Sequence, residues 1–296
     1  MQKRILYLII TVSSALPCLL QAQSVNPYKP DSHAPKKIPG YTLSWNDEFN
    51  RDGNPDPGNW TYESGFVRNY ELQWYQQQNA ICKNGVLRIE ARREKMENPN
   101  YNKEDTGNWR RNRPFIEYTS SSLKTSGLQQ WVFGRFEIRA RIDTAKGSWP
   151  AIWTLGSGGR WPLGGEVDIM EFYRPKGIPT ILANMAWGRS QNGGAIWNTK
   201  EIPLQHFTAN DKEWVKKFHV WRMDWTKDSI SLYLDDELLN TIALSKTLNP
   251  DESNPFLKPQ YLLLNLAIGA NGGDPSLTKF PIIYEVDYVR VYQQAK

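Results

Sequence analysis

The sequence predicts an all-β protein made of two packed antiparallel sheets. Three observations carry this reading: short runs alternate polar and apolar residues, turn residues separate them, and no helices are interleaved between them. Helical periodicity extends no further than one short turn near 208–217. No internal repeat and no second domain is visible in the 296 residues.

Residues 1–22 read as a secretory signal peptide. Lys3 and Arg4 precede the apolar run Ile5 to Leu16, and Leu20-Gln21-Ala22 fits a small-residue cleavage site before Gln23. The run is shorter than the roughly 20 residues of a membrane span, and no later stretch is apolar enough to cross one. A secreted or periplasmic protein follows. Lipid anchoring through Cys18 is the weaker reading, because Pro17 stands where such signals carry a small residue. Loss of Lys3 and Arg4 takes the net charge from +5 to +3, which gives no reason to expect nucleic acid. Cys82 is then the one remaining cysteine, so no intramolecular disulfide can form and stability rests on burial.

Residues 23–40, rich in Pro, Lys and Ser, read as a flexible lead-in, and residues 41–294 as a single domain. Its strands are expected at 41–45, 85–93, 134–142, 166–173, 218–225, 229–236, 260–269 and 284–293. The run 134–142 is typical: Phe136, Ile138, Ala140 and Ile142 share one side, Arg135, Glu137, Arg139 and Arg141 the other. Between two strands lies a long polar insertion, 94–118, containing Trp109-Arg110-Arg111-Asn112-Arg113. Loops of this length are often functional, so it is a candidate cleft wall. Its arginines read as a solvated basic face or, less simply, as a site for acidic or sulfated sugars.

The chemistry concentrates in "GGEVDIMEFY", 164–173. In a regular strand Glu166 and Asp168 share a face and Glu171 opposes them. One extra residue, a β-bulge between Asp168 and Glu171, returns Glu171 to their side. The outer carboxyl groups then come to about 5 Å, near the separation of a retaining glycosidase and below the roughly 6.5–9.5 Å of an inverting one. A middle acid, Asp168, is placed to share a proton and to raise the pKa of a neighbour that must stay protonated. The bland alternatives are an exposed acidic strand face, or a calcium site, which needs more oxygen ligands from turns. Trp149, Trp153 and Trp161 stand just upstream in a Gly- and Pro-rich stretch, as flat faces for sugar rings.

These residues resemble glycoside hydrolase family 16, of the laminarinase-like, bulged Glu-x-Asp-x-x-Glu type. "GSWPAIWTLG" precedes the acids, and "LSWNDEFN", "NYELQWY", "GVLRIEAR", "YTSSSLKTSG", "FGRFEIRARI", "NPFLKPQYLLLNLAIGANGG" and "VDYVRVYQ" look like family blocks in family order. The resemblance implies a concanavalin-like β-jelly-roll sandwich with an open concave cleft. It implies retaining, endo-acting hydrolysis of internal β-1,3 or β-1,4 bonds of a polysaccharide, by default a laminarin-type β-1,3(4)-glucan. Glu166 would be the nucleophile, Asp168 its orienting partner and Glu171 the acid/base. Trp149, Trp153, Trp161, Asn69 and Glu71 would line the cleft. No cofactor is required, although a structural calcium on the convex side would involve Asp287 and backbone near Glu48 and Gly85.

One departure concerns the strand after the acids, where "ILANMAWG" puts Ala186 in place of an expected histidine. The three histidines, His33, His206 and His219, lie elsewhere, and His219 reads as structural. Asn184 and Trp187 are therefore expected to contact sugar. Beside the laminarin-type default, the resemblance then leaves open mixed-linkage glucans, algal or other galactans, and the β-1,4-galactosyl bonds of poly-N-acetyllactosamine or mucin-type host glycans. The protein is expected to act as a monomer. The competing class, a non-catalytic lectin-like binder, is disfavoured because all three acids are in place.

Overall fold

The computed structural model describes residues 25–191 and 193–295; the leader 1–22, with Cys18, lies outside them. Along the chain run β1 (Tyr41–Asp47), β2 (Thr61–Tyr62), β3 (Gln73–Tyr75), β4 (Ala80–Lys83), β5 (Val86–Glu97) and β6 (Phe115–Ser120). They continue with β7 (Ser122–Lys124), β8 (Gly134–Arg141), β9 (Ser148–Gly156), β10 (Glu166–Tyr173), β11 (Thr180–Gly188) and β12 (Ala195–Pro203). The last are β13 (His219–Trp225), β14 (Ser229–Leu234), β15 (Glu237–Ala243), β16 (Gln260–Ile268) and β17 (Ile282–Gln294). The expected helical turn appears as the short pieces Gln205–Thr208 and Trp214–Lys216.

These strands form two facing sheets. One has the order β15-β14-β13-β8-β17-β5-β6-β3, with β1 and β4 joined at its side; the other runs β12-β11-β10-β9-β16-β7-β2. Pairing is antiparallel apart from β3 with β6. The core lies between the sheets and follows the period of two. From β8 it takes Phe136, Ile138 and Ala140; from β16, Leu262, Leu264, Leu266 and Ile268; from β11, Ile181, Ala183, Met185 and Trp187. Leu263 and Asn265 of β16 therefore face outward, onto the side that carries the acids.

The outer face of the larger sheet is a ladder of ion pairs, and there the calcium expectation meets a poor fit. Asp287 is 2% exposed and bonds the guanidinium of Arg139, while accepting from the backbone N of Asp31 at 3.0 Å. Glu48 is taken by Arg290 through two bonds of 2.9 and 2.8 Å. A calcium ion needs about six to eight oxygen ligands, and here guanidinium cations already neutralise the acids. Among the described residues no group of three or more His, Cys, Asp or Glu is gathered to hold a metal. Removing Arg139 strands a buried carboxylate, so Arg139→Met is expected to cost about 3–5 kcal/mol of stability in urea denaturation. A loss below about 0.5 kcal/mol, the range of ordinary surface changes, would contradict that.

Residues 26–33 of the lead-in are docked on the larger sheet. Arg139 donates to the carbonyls of Asn26 and Lys29 at 2.9 Å each, and the Phe218 amide donates to Pro27 O at 2.7 Å. Arg290 also reaches His33 O. Carbonyls of an apparently loose segment thus serve as acceptors for arginines on the sheet, a pairing that composition does not reveal.

Candidate active site

The acids stand on β10, and the local register explains why all three face the same way. Against β11, Asp168 pairs with Asn184 and Glu171 with Leu182, so three steps on β10 oppose two on β11. Against β9 the shift falls between Asp168 and Met170. Ile169 and Met170, adjacent in sequence, both enter the core. That is the bulge expected from the spacing. The strand starts at a tight turn: Gly165 has φ +78°, and a Cβ there would sit 2.9 Å from Pro255. Glycine thus lets the chain enter β10 beside this packed corner.

Glu166, Asp168 and Glu171 face a cleft of about 770 Å³, with Arg68, Asn69, Glu71, Trp149, Trp153 and Trp161 also in its wall. Asp168 lies within hydrogen-bond reach of both glutamates. Asn184 donates to Asp168 at 3.2 Å and to Glu171 at 3.0 Å, Trp149 Nε1 donates to Glu171 at 3.0 Å, and Trp161 Nε1 donates to Glu166 at 2.5 Å.

The trio is asymmetric in charge. Burial is the main cause that pushes Glu171 up to about 7, with the Glu166 charge adding to it against the bonds from Trp149, Asn184 and Asp168. Glu166 is also raised by burial, but Trp161, Asp168 and the cation of Arg68 oppose the rise. Asp168 is held well above the usual carboxylate range by burial and then by the charges of both glutamates. Sequence reasoning gave Asp168 the task of raising a neighbour. In the structure burial and the Glu166 charge raise Glu171 while the bond with Asp168 opposes the rise, and Asp168 is itself raised by burial and by both glutamates. Three carboxyl groups this close titrate as one coupled set.

Not every expected sugar contact reaches the cleft. Trp187 points the other way: it is 6% exposed and belongs to the core between the sheets. Asn184 is three residues earlier, an odd step, so the two must lie on opposite faces of β11. Burying an indole in the core removes a large apolar surface from water, which fixes that orientation. Trp149 and Trp153 line the cleft but are each only 7% exposed. The guanidinium of Arg68 lies 5.0 Å over the ring of Trp153, whose Nε1 donates to Asn265 at 2.7 Å. Asn69 and Glu71 are in the wall, and Glu71 accepts from Gln73 at 2.6 Å.

The cleft also takes Arg68, Tyr173, Trp197, Thr199, Glu201 and Asn265, which the sequence reading did not single out. Only Asn265 carried a signal, as a lone amide in the apolar run "LLLNLAIG". The insertion 94–118 contributes no side chain to this wall and instead braces it from behind. Arg110 donates to Phe66 O at 3.0 Å, Arg113 donates to Glu71 O at 3.0 Å, and Trp109 packs against Phe66 and Tyr70. Those bonds hold the 66–71 loop that carries Arg68, Asn69 and Glu71. His219 is structural, bonded to Asp235 and Trp214 O at 2.9 Å each.

The model of the glycosyl hydrolases family 16 matches residues 66–290. The chain belongs to glycosyl hydrolases family 16. It is 36% identical to a β-glucanase of Rhodothermus marinus, over 87% of each chain. A structure of the endo-acting O-glycanases that human gut microbiota express to initiate mucin breakdown superposes with a TM-score of 0.77 at 32% identity. The match covers 88% of this chain and 94% of that one. The laminarinase catalytic domain of Thermotoga maritima gives 0.70 at 29%, covering 86% and 99%. This family 16 chain is thus a β-jelly-roll enzyme, an endo-acting β-glycoside hydrolase with the family's retaining mechanism.

Proposed function

We propose that the chain cuts internal β-1,3 or β-1,4 bonds of a β-glucan, with Glu166 as nucleophile and Glu171 as acid/base. The observation that carries the role assignment is the bulged strand, which puts one acid near pKa 7 beside another stabilised by an indole N–H and a guanidinium. In the first step Glu171 gives its proton to the glycosidic oxygen while Glu166 Oε attacks the anomeric carbon. The C–O bond breaks, its electron pair leaves with the oxygen, and a glycosyl ester forms on Glu166. Glu171, now ionised, takes a proton from water, whose oxygen displaces Glu166. Asp168 and Asn184 hold both carboxyl groups in place throughout.

A second reading, hydrolysis of β-1,4-galactosyl bonds in poly-N-acetyllactosamine or mucin-type chains, is favoured by one residue. Ala186 lies opposite Glu166 on β11 and offers only a methyl group beside it. The similarity to the O-glycanase structure points the same way. An exported enzyme suits either substrate, and no described helix is long and apolar enough to cross a membrane. Laminarin, lichenan, agarose and a keratan-type poly-N-acetyllactosamine, each incubated with the protein, decide between the two readings by product size. Internal oligosaccharides from laminarin or lichenan are expected. Cleavage of the lactosamine chain alone replaces the glucan with the second reading, and release of monosaccharide alone contradicts both.

A further inference from the structure

We propose that Trp197 forms an outer sugar subsite on the β12 side of the cleft, taking a pyranose ring of the same chain that Glu166 and Glu171 cut. Trp161 and Trp197, at 48% and 45%, are the exposed tryptophans among the described residues, and both line this cleft. Every other tryptophan of the cleft wall is nearly covered. Their placement follows from register: Glu166 pairs with Ala186, and Ala186 pairs with Trp197. The three residues form one row across three strands. Two strand spacings separate Glu166 from Trp197, on the order of 10 Å, the scale of a disaccharide.

The floor between them is low, because Ala186 presents only a methyl group and is itself fully buried. A large side chain there would wall Trp197 off from the acids. Beyond Trp197 the sheet ends, since β12 pairs with β11 alone. Thr199 and Glu201 continue the cleft face of the same strand. A glycan crossing the acids toward β12 therefore meets an exposed indole and then solvent, as an endo-acting enzyme requires. Ile196 and Ile202, on the opposite face, pack against the core and hold the strand in place. An exposed aromatic on an edge strand has no packing task of its own, and the C–H face of a sugar ring covers such a surface.

This inference rests on the β-glycan reading above. Trp197→Ala and Trp197→Phe are compared with the wild type on laminarin, or on the keratan-type chain where that is the one cleaved. Trp197→Ala is expected to raise KM about tenfold, equivalent to about 1.4 kcal/mol, with a smaller change in kcat and a final product set shifted to longer fragments. Trp197→Phe, which keeps a ring, is expected to fall between the two. Unchanged KM and unchanged products in a folded Trp197→Ala protein overturn the subsite while leaving the enzyme reading intact. Equal KM increases in both variants also overturn it, since a stacking face would discriminate them. Wild-type protein that cleaves no β-glycan overturns the functional reading, and the subsite falls with it.

Discussion

Glu166→Ala is expected to lower turnover by about 10⁴-fold or more on any polysaccharide the wild type cuts. Glu166 accepts the indole N–H of Trp161, and the Arg68 cation favours its ionised form. Removing it leaves Glu171 able to protonate the leaving oxygen but nothing to attack the anomeric carbon. Folding should survive, because Glu166 lies on the cleft face and not between the sheets. Retention of glycan binding, seen as retarded migration in a gel containing the polysaccharide, separates lost chemistry from lost structure. Turnover within about tenfold of wild type would sink the assignment.

Glu171→Gln carries the second large effect, a loss of about 10²–10⁴-fold on the polysaccharide. It also carries a pH signature. In the wild type, kcat/KM should fall as pH rises through about 7, where Glu171 loses the proton it must donate. The acid limb should lie above the range of an ordinary glutamate, because burial raises Glu166 as well. The apparent values belong to the coupled trio. The residual activity of Glu171→Gln should lack the alkaline limb. Wild-type stability should fall with rising pH as well. A glutamate raised in the folded state contributes fully below its unfolded pKa, and that contribution is lost as pH rises through the folded value. Glu171→Gln, which cannot ionise, should therefore melt above the wild type at pH 8, and the gap should close near pH 4. A gap that widens on acidification would contradict the burial account.

How far the sequence reveals this site depends on the residue. The bulge was legible because Glu166, Asp168 and Glu171 cannot share a face without it, and the two adjacent core residues Ile169 and Met170 are its counterpart. Strands with one wet face, such as β8, were legible from alternation. β9 and β11 are covered on both faces and show no alternation. Without alternation β9 shows in the sequence only as a tryptophan-bearing flank, and nothing there marks Trp187 as the core side of β11. The period of two, applied from Asn184, selects Ala186 and then the partner strand's Trp197. The docking of 26–33 and the bracing by Arg110 and Arg113 depend on backbone carbonyls, which a sequence does not display. Arg68 is hidden for a similar reason: its position is set by Glu63, with which it pairs, and by the ring of Trp153.

The stereochemistry of azide rescue tests the assignment of nucleophile and acid/base most directly. With an activated β-glycoside whose leaving group needs no acid, azide can replace the missing carboxylate of either Ala variant. In Glu166→Ala it attacks the anomeric carbon once, so the glycosyl azide should have the α configuration. In Glu171→Ala the Glu166 ester still forms and azide displaces it, so the product should be β. Proton NMR of the two azides reads the outcome. An α azide from Glu166→Ala and a β azide from Glu171→Ala are the predicted pair, and the reversed pair would contradict the roles given to both residues.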